Sequence, residues 1–186
     1  MRATFIAAVL LVAGCGGDPL AGARPIGTGP GFRPGSLSPA VARSAPVGGL
    51  SCSRAPARGW AHLELFARGR VLLLPAGVGV APPRRTDGAY VRGGHCRYPV
   101  WTDEPTGLVA LAREDLTVGD LFAVWGRPLT RDRLAGFRGR VTAHVDGRRW
   151  RHHPAAIPLR HHAQVVLQAG GPPVPPHAAY TFPAGR

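Results

Sequence analysis

The pattern of apolar and polar residues is most regular between residues 116 and 126, where it matches a short amphipathic helix. Thr117 followed by Asp120 can form a capping box, and a negative charge is favoured at the positive end of a helix. Gly126 suits the position after the helix end, because glycine readily adopts the left-handed conformation found there. The pattern predicts a helix over Val118–Trp125. Its inner face would bury Leu121, Phe122 and Trp125.

Most other apolar residues form short runs bounded by turn residues, which is typical of β-strands. Ala67–Gly69 and Asp146–Gly147 each separate two such runs and predict hairpins, and Asp-Gly is the stronger turn signal. Residues 81–94 are polar and rich in proline and arginine, which favours a loop. The predicted strands are residues 62–66, 70–74, 108–112, 140–145, 148–150 and 163–169.

These elements predict an α+β fold that is mostly β, with two hairpins, further strands and one short helix. Glycine and proline number 26 and 20 of 186 residues, which argues against a helical bundle. A β-grasp-like arrangement is one candidate for the second half of the chain. Five prolines between residues 170 and 186 predict an extended tail that wraps the surface.

The N-terminal residues match the export signal of a lipoprotein. Arg2 precedes an apolar run at residues 3–13, and small residues lead to Cys15. This arrangement resembles the bacterial lipobox, in which the cysteine is acylated, with palmitate among its acyl chains, and becomes the new N-terminus. Two or more lipid chains would hold the protein on the extracytoplasmic face of the cell membrane. The alternative is an ordinary secretory signal with a chance cysteine.

A low-complexity segment follows the predicted lipidation site. Glycine, proline, serine and alanine make up 24 of the 36 residues from 16 to 51, a composition that favours a disordered tether. The predicted division is therefore a signal peptide at residues 1–14, the lipidated cysteine and tether at 15–51, and one β-rich globular domain with a proline-rich tail at 52–186.

The chain is strongly basic, with a formal charge of +13 at pH 7, and arginine supplies all 23 cations. Arg148, Arg149 and Arg151 surround Trp150 and predict a patch for an anionic partner. Outside the membrane such partners are lipid headgroups, anionic envelope polymers or envelope proteins, and not nucleic acid. The alternative is a solvated surface enlarged by the codon usage of a GC-rich genome. Further arginines nearby in sequence are Arg131, Arg133, Arg138 and Arg140.

Two histidine pairs, His152–His153 and His161–His162, form a second candidate site. Neutral imidazole is a common ligand of copper and zinc. Adjacent strand residues point to opposite faces, so each pair readily supplies one ligand. The alternative is that these are ordinary polar histidines on the surface.

No enzyme motif is present in the sequence. There is no GxSxG, SxxK or P-loop pattern, and no cysteine has the surroundings of a nucleophile. We therefore expect neither catalytic residues nor enzyme activity.

The order and spacing of several segments resemble a largely uncharacterised family of exported bacterial proteins. That family carries HxHxHLxIxxNG, PAGIGI, CxYxLHTHDxxGIIHIE, TLGQFFDxWG and a VNG hairpin in this order. The resemblance covers residues 52–169 and implies a secreted or anchored domain with a histidine cluster suited to a metal. The matching segments here are HLELFARGR from residue 62, LPAGVGV from 74, CRYPVWT from 96, LTVGDLFAVWGRPL from 116, HVDGRRW from 144 and HHAQVVL from 161.

Most of the ligands implied by the resemblance are replaced in this chain. Of the three alternating histidines only His62 is present, with Arg58 and Trp60 at the other two positions. At the later family positions this chain has Trp101, Asp103, Glu104, Ala110 and Ala112. A copper or zinc site would have to be rebuilt from the remaining candidates, His62, His152 and His161.

The resemblance also implies a disulfide. The family often has one cysteine before the first strand and one opening the CxY segment, which here are Cys52 and Cys96. With Cys15 acylated, the remaining count is even, and an exported protein meets an oxidising compartment. The alternative is two free, buried thiols.

Together these features predict a lipid-anchored envelope lipoprotein that acts as a non-enzymatic binding or scaffolding module. One alternative is a lipoprotein that binds or handles copper or zinc. Another is an electrostatic adaptor to anionic envelope polymers or lipid headgroups.

Overall fold

The computed structural model of this protein describes residues 38–186. The predicted signal peptide, the predicted lipidation site Cys15 and the first part of the predicted tether lie outside the described residues. No helix among residues 38–186 has the length and apolar character needed to cross a membrane.

The fold is α+β and mostly β, as the sequence predicts. The helices of the described residues are α1 (Pro39–Ala42) and α2 (Val118–Trp125), with a 3-10 turn at Pro154–Ala156. Its strands are β1 (Gly59–Ala67), β2 (Arg70–Leu72), β3 (Arg85–Asp87), β4 (Tyr90–Gly93), β5 (Val100–Trp101), β6 (Leu108–Leu111), β7 (Arg133–Leu134), β8 (Phe137–Arg138), β9 (Val141–Val145), β10 (Arg148–Trp150) and β11 (Gln164–Ala169).

Within residues 38–186, seven strands form one mixed sheet in the order β10-β9-β11-β1-β6-β5, with β2 beside the end of β1. β1 and β11 are parallel, and the other pairs of this sheet are antiparallel. Hairpin β1–β2, helix α2, hairpin β9–β10 and a last strand parallel to β1 give a β-grasp-like order. The β-grasp-like arrangement was predicted for the second half of the chain alone. In the structure it also includes β1 and β2 from the first half.

Helix α2 begins and ends where its sequence predicts. Asp120 donates its backbone N–H to the Thr117 hydroxyl at 3.2 Å, and its carboxylate accepts the Thr117 N–H at 2.8 Å. Gly126 follows with φ of 73°, as a left-handed helix end requires. The helix packs on one sheet face through Leu121, Phe122 and Trp125, which join a core with Leu63, Leu65, Val165 and Leu167.

The predicted loop at residues 81–94 is wrong in its second part. Strands β3 and β4 form a separate antiparallel hairpin there. Within these two strands Val91 and Gly93 are buried, and the other residues are exposed to solvent. Without apolar alternation, the polar pattern gave no strand signal.

The predicted tether boundary at residue 51 is also wrong for residues 38–51. Val41 and Leu50 are 0% and 2% exposed and belong to the main core. The buried Tyr98 donates its hydroxyl to the Ala45 carbonyl, which fixes this segment against the domain. Buried apolar side chains and this hydrogen bond thus attach a segment of low-complexity composition to the domain.

Cys52 and Cys96 form a disulfide, as the resemblance implies. The bond connects the segment before β1 with the segment before β5. Beside it, Ser53 and Arg97 exchange two backbone hydrogen bonds, each of 2.7 Å.

The face of the sheet opposite α2 is crossed by residues 171–186, called the strap below. The strap contains no helix or strand. It lies over polar side chains of β1 and β11, including those of His62, Glu64 and Gln168.

Candidate functional site

A basic groove of about 540 Å³ lies at one edge of the sheet. The antiparallel β9–β10 hairpin places the start of β9 beside the end of β10. The Arg131 carbonyl accepts the Val141 N–H at 2.8 Å, which fixes the preceding loop against the same edge. The groove is lined by Arg131, Arg140, Val141, Thr142, Arg149, Trp150, Arg151, His152 and Pro154.

The charge of this groove is of one sign. All four of its arginines are exposed, and no carboxylate lines it. Within residues 38–186 none of the four takes part in an ion pair. The nearby Asp132 accepts a hydrogen bond from the Thr130 hydroxyl. Four guanidinium groups around one concave surface create a positive potential that attracts anions.

His144 reports on the charge of Arg149. It lies directly opposite Arg149 in the β9–β10 register. Burial lowers the pKa of His144 below its ordinary value of 6.5, and the positive charge of Arg149 lowers it further. An anion beside Arg149 would oppose the second effect.

The structure assembles part of the predicted arginine patch. Arg149 and Arg151 line the groove, whereas Arg148, which lies at the turn end of β10, does not. Arg131 and Arg140 line it too, although the sequence analysis noted them only as nearby in sequence. The hairpin at Asp146–Gly147 places the start of β9, which follows Arg140, beside the end of β10, so this turn signal could have indicated Arg140 as part of the patch.

The predicted metal ligands are not brought together. His62 is 4% exposed and uses both ring nitrogens, with Nε2 at 2.9 Å from the Thr106 carbonyl and Nδ1 at 2.7 Å from the Gln164 side chain. His152 lies in the basic groove against Trp150, with ring centroids 5.3 Å apart. No group of three metal-ligating side chains exists within the described part of the chain. The predicted set of His62, His152 and His161 is therefore wrong.

His161 lies elsewhere, beside a second concave surface of the domain. Its ring contacts the tilted ring of His162, with centroids 3.7 Å apart, and its Nδ1 accepts the Trp60 N–H at 3.2 Å. The groove that it lines has a volume of about 730 Å³ and, unlike the basic groove, carries charges of both signs. Its charged residues are Arg58, Arg113, Glu114, Asp115 and Arg160.

Several positions at which the resembled family has histidine lie side by side on the strap-covered face. Trp60 on β1 and Trp101 on β5 are both register partners of Ala110 on β6. The guanidinium of Arg186 lies over the Trp60 ring, with 4.7 Å between Cζ and the ring centroid. In this chain an aromatic ring and a cation therefore occupy the face where the family pattern would place metal ligands.

Comparisons with protein-family models, with curated proteins and with solved structures gave no match to this chain. The family resemblance therefore stays a prediction.

Proposed function

We propose that this protein is a lipid-anchored, extracytoplasmic and non-enzymatic module that binds an anionic envelope polymer in its basic groove. The observation that carries the proposal is the groove itself, where four exposed arginines meet with no carboxylate among the lining residues. Guanidinium groups bind phosphate and carboxylate through paired hydrogen bonds, so a polymer that carries either group fits this chemistry.

The position of the groove also supports this proposal. It lies at the open edge of the sheet, because β10 has no strand on its outer side among the described residues. A polymer can therefore extend past the groove in both directions, whereas an enclosed pocket would admit only a short ligand. Trp150 adds an apolar surface against which a sugar or the carbon backbone of a polymer can pack.

The proposal is tested by titrating defined polymers into a soluble form, residues 15–186 with Cys15→Ser. Polyphosphate and polygalacturonate distinguish phosphate from carboxylate ligands, and vesicles of phosphatidylglycerol test lipid headgroups instead. We expect one polymer to bind with an affinity that falls steeply as salt rises, because exposed charges are screened beyond about 10 Å at 0.1 M salt. Equal or tighter binding to the vesicles would replace the polymer with a membrane surface.

Matched variants locate the binding. Arg149→Gln with Arg151→Gln removes two charges from the groove, and Arg133→Gln with Arg138→Gln removes two exposed charges outside it. We expect the first pair to weaken polymer binding at least tenfold and to flatten its salt dependence. The second pair should change the affinity less than threefold. Equal losses from both pairs would mean that net charge, not the groove, determines binding.

The predicted anchor has its own test. Cells expressing the full chain are given a clickable palmitate analogue and then fractionated. We expect the label and the membrane association to be present in the unaltered protein and absent from the Cys15→Ser variant. A variant that stays in the membrane fraction without label would contradict lipid anchoring at Cys15.

A further inference from the structure

The strap is attached to the sheet through side chains rather than through strand pairing. No backbone-to-backbone hydrogen bond joins residues 171–186 to the remainder of the described chain. Gly170 and Gly171, where the strap begins, have positive φ values of 61° and 74°. The strap can therefore leave the sheet without breaking any strand pairing. The surface beneath it, called the strap cleft, is formed by Trp60, His62, Glu64, Glu104, His162 and Gln168.

One side chain of the strap cleft binds the backbone of the strap. The Gln168 Oε1 accepts the Val174 N–H at 2.8 Å, and its Nε2 donates to the Val174 carbonyl at 2.6 Å. Gln168 is 6% exposed, so this pair of hydrogen bonds is shielded from water. A side-chain amide that binds both the N–H and the C=O of one residue can hold an extended peptide. This contact does not depend on the side chain of the residue that is bound.

Two histidines bind aromatic side chains of the strap. The rings of His62 and Tyr180 are stacked, with centroids 3.6 Å apart and planes 9° apart. Phe182 lies on His162 in the same way, with centroids 4.4 Å apart. Burial raises the pKa of Tyr180, and the charge of Glu104 raises it further. Each of the two contacts requires an aromatic ring at a fixed position in the sequence of the peptide.

The remaining part of the strap cleft recognises a guanidinium. Glu104 is 8% exposed, and its only ion pair among the described residues is with Arg186. The same guanidinium lies over the Trp60 ring. The His162 Nε2 contacts the Arg186 carbonyl at 2.8 Å. A buried carboxylate needs a cationic partner. This pocket therefore requires a positive side chain whenever a peptide covers it.

We propose that the strap cleft is a peptide-binding site that the strap fills in cis. In trans it takes an extended peptide of the same chemistry, with an aromatic residue followed six positions later by an arginine. Gln168 binds the backbone, His62 binds the aromatic ring, and Glu104 with Trp60 binds the guanidinium. Because the strap competes for the same surface, a peptide in trans binds the closed protein weakly.

The test uses a labelled synthetic peptide of residues 171–186 and the soluble form. Tyr180→Ala with Arg186→Ala weakens the strap of the protein and leaves every residue of the strap cleft in place. We expect the peptide to bind this opened variant at least tenfold more tightly than the unaltered soluble form. An opened variant that keeps its native circular dichroism and fails to bind the peptide would overturn the proposal.

Variants of the strap cleft and of the peptide test its specificity. Adding Glu104→Gln to the opened variant, or using a peptide with Arg186→Ala, should each weaken binding at least tenfold. Glu114→Gln removes an exposed carboxylate outside the strap cleft and should leave binding unchanged. Binding that survives Glu104→Gln would overturn the assignment of the guanidinium pocket.

Hydrogen exchange of the unaltered soluble form gives a measurement that does not depend on any variant folding. The Val174 N–H is protected by Gln168, whereas the Leu167 N–H lies in a buried central strand. A removable strap predicts that Val174 exchanges at least a hundredfold faster than Leu167, through local opening. Equal protection of the two amides would mean that the strap leaves only when the domain unfolds, which overturns the proposal.

Discussion

The Cys52–Cys96 disulfide should be a major source of stability in this small domain. It joins residues 44 positions apart. Closing a loop of this length removes roughly 13 cal/mol/K of entropy from the unfolded chain, which corresponds to about 4 kcal/mol at 25 °C. A typical domain has only about 5–15 kcal/mol in total, so loss of the bond should be easily measured.

The assay is urea unfolding of the soluble form, followed by far-ultraviolet circular dichroism. Cys52→Ala with Cys96→Ala should lower the unfolding free energy by about 4 kcal/mol and the urea midpoint by about 2 M, for a urea dependence near 2 kcal/mol/M. Reducing the unaltered protein with dithiothreitol should lower its midpoint by a similar amount. A loss below about 1 kcal/mol in both experiments would refute the reasoning that the bond restricts the unfolded chain.

Three further predictions concern helix α2 and the half-buried His144. Leu121→Ala should lower the unfolding free energy by about 2–5 kcal/mol, because it leaves a cavity in the main core, and a loss under 1 kcal/mol in urea unfolding would contradict that packing. Thr117→Ala should cost about 1 kcal/mol through loss of the helix cap, measured in the same way. The lowered pKa of His144 means that its neutral form is favoured by folding, so stability is present above pH 6.5 and is lost as pH falls below that value. In His144→Gln this fall should be shallower, and identical pH profiles from urea midpoints would contradict the shift.

The sequence was most informative where local chemistry determines local structure. Helix α2 is predicted at both ends because Thr117, Asp120 and Gly126 each satisfy backbone groups that any helix end leaves open. Asp146–Gly147 predicts its hairpin because both residues take positive φ, 50° and 75°. These signals act over a few residues, so no tertiary information is needed to interpret them.

Two features that lack a pattern of apolar residues in the sequence were not predicted. Asp87–Gly88 is the same turn pair, but its hairpin is exposed and lacks the apolar alternation of a strand. Burial of Val41 depends on a core assembled from distant segments, which a composition rich in small residues does not reveal.

The candidate sites show the same division. Arg149 and Arg151 were predicted as part of a basic patch, but Arg148, predicted with them, lies at the turn end of β10 and does not line the groove. The pairing of Glu104 with Arg186 joins residues 82 positions apart, and no local pattern indicates it.

The most direct test of the central claim, that the basic groove binds an anionic polymer, is a titration of His144 by NMR. The pH dependence of its ring signals is recorded in the soluble form without polymer and with polymer at saturation. Because Arg149 lowers the pKa of His144, an anion bound to Arg149 should raise that pKa. In the Arg149→Gln variant the polymer should raise it less. A polymer that binds the unaltered protein while the pKa of His144 stays unchanged would place the anion elsewhere and contradict the claim.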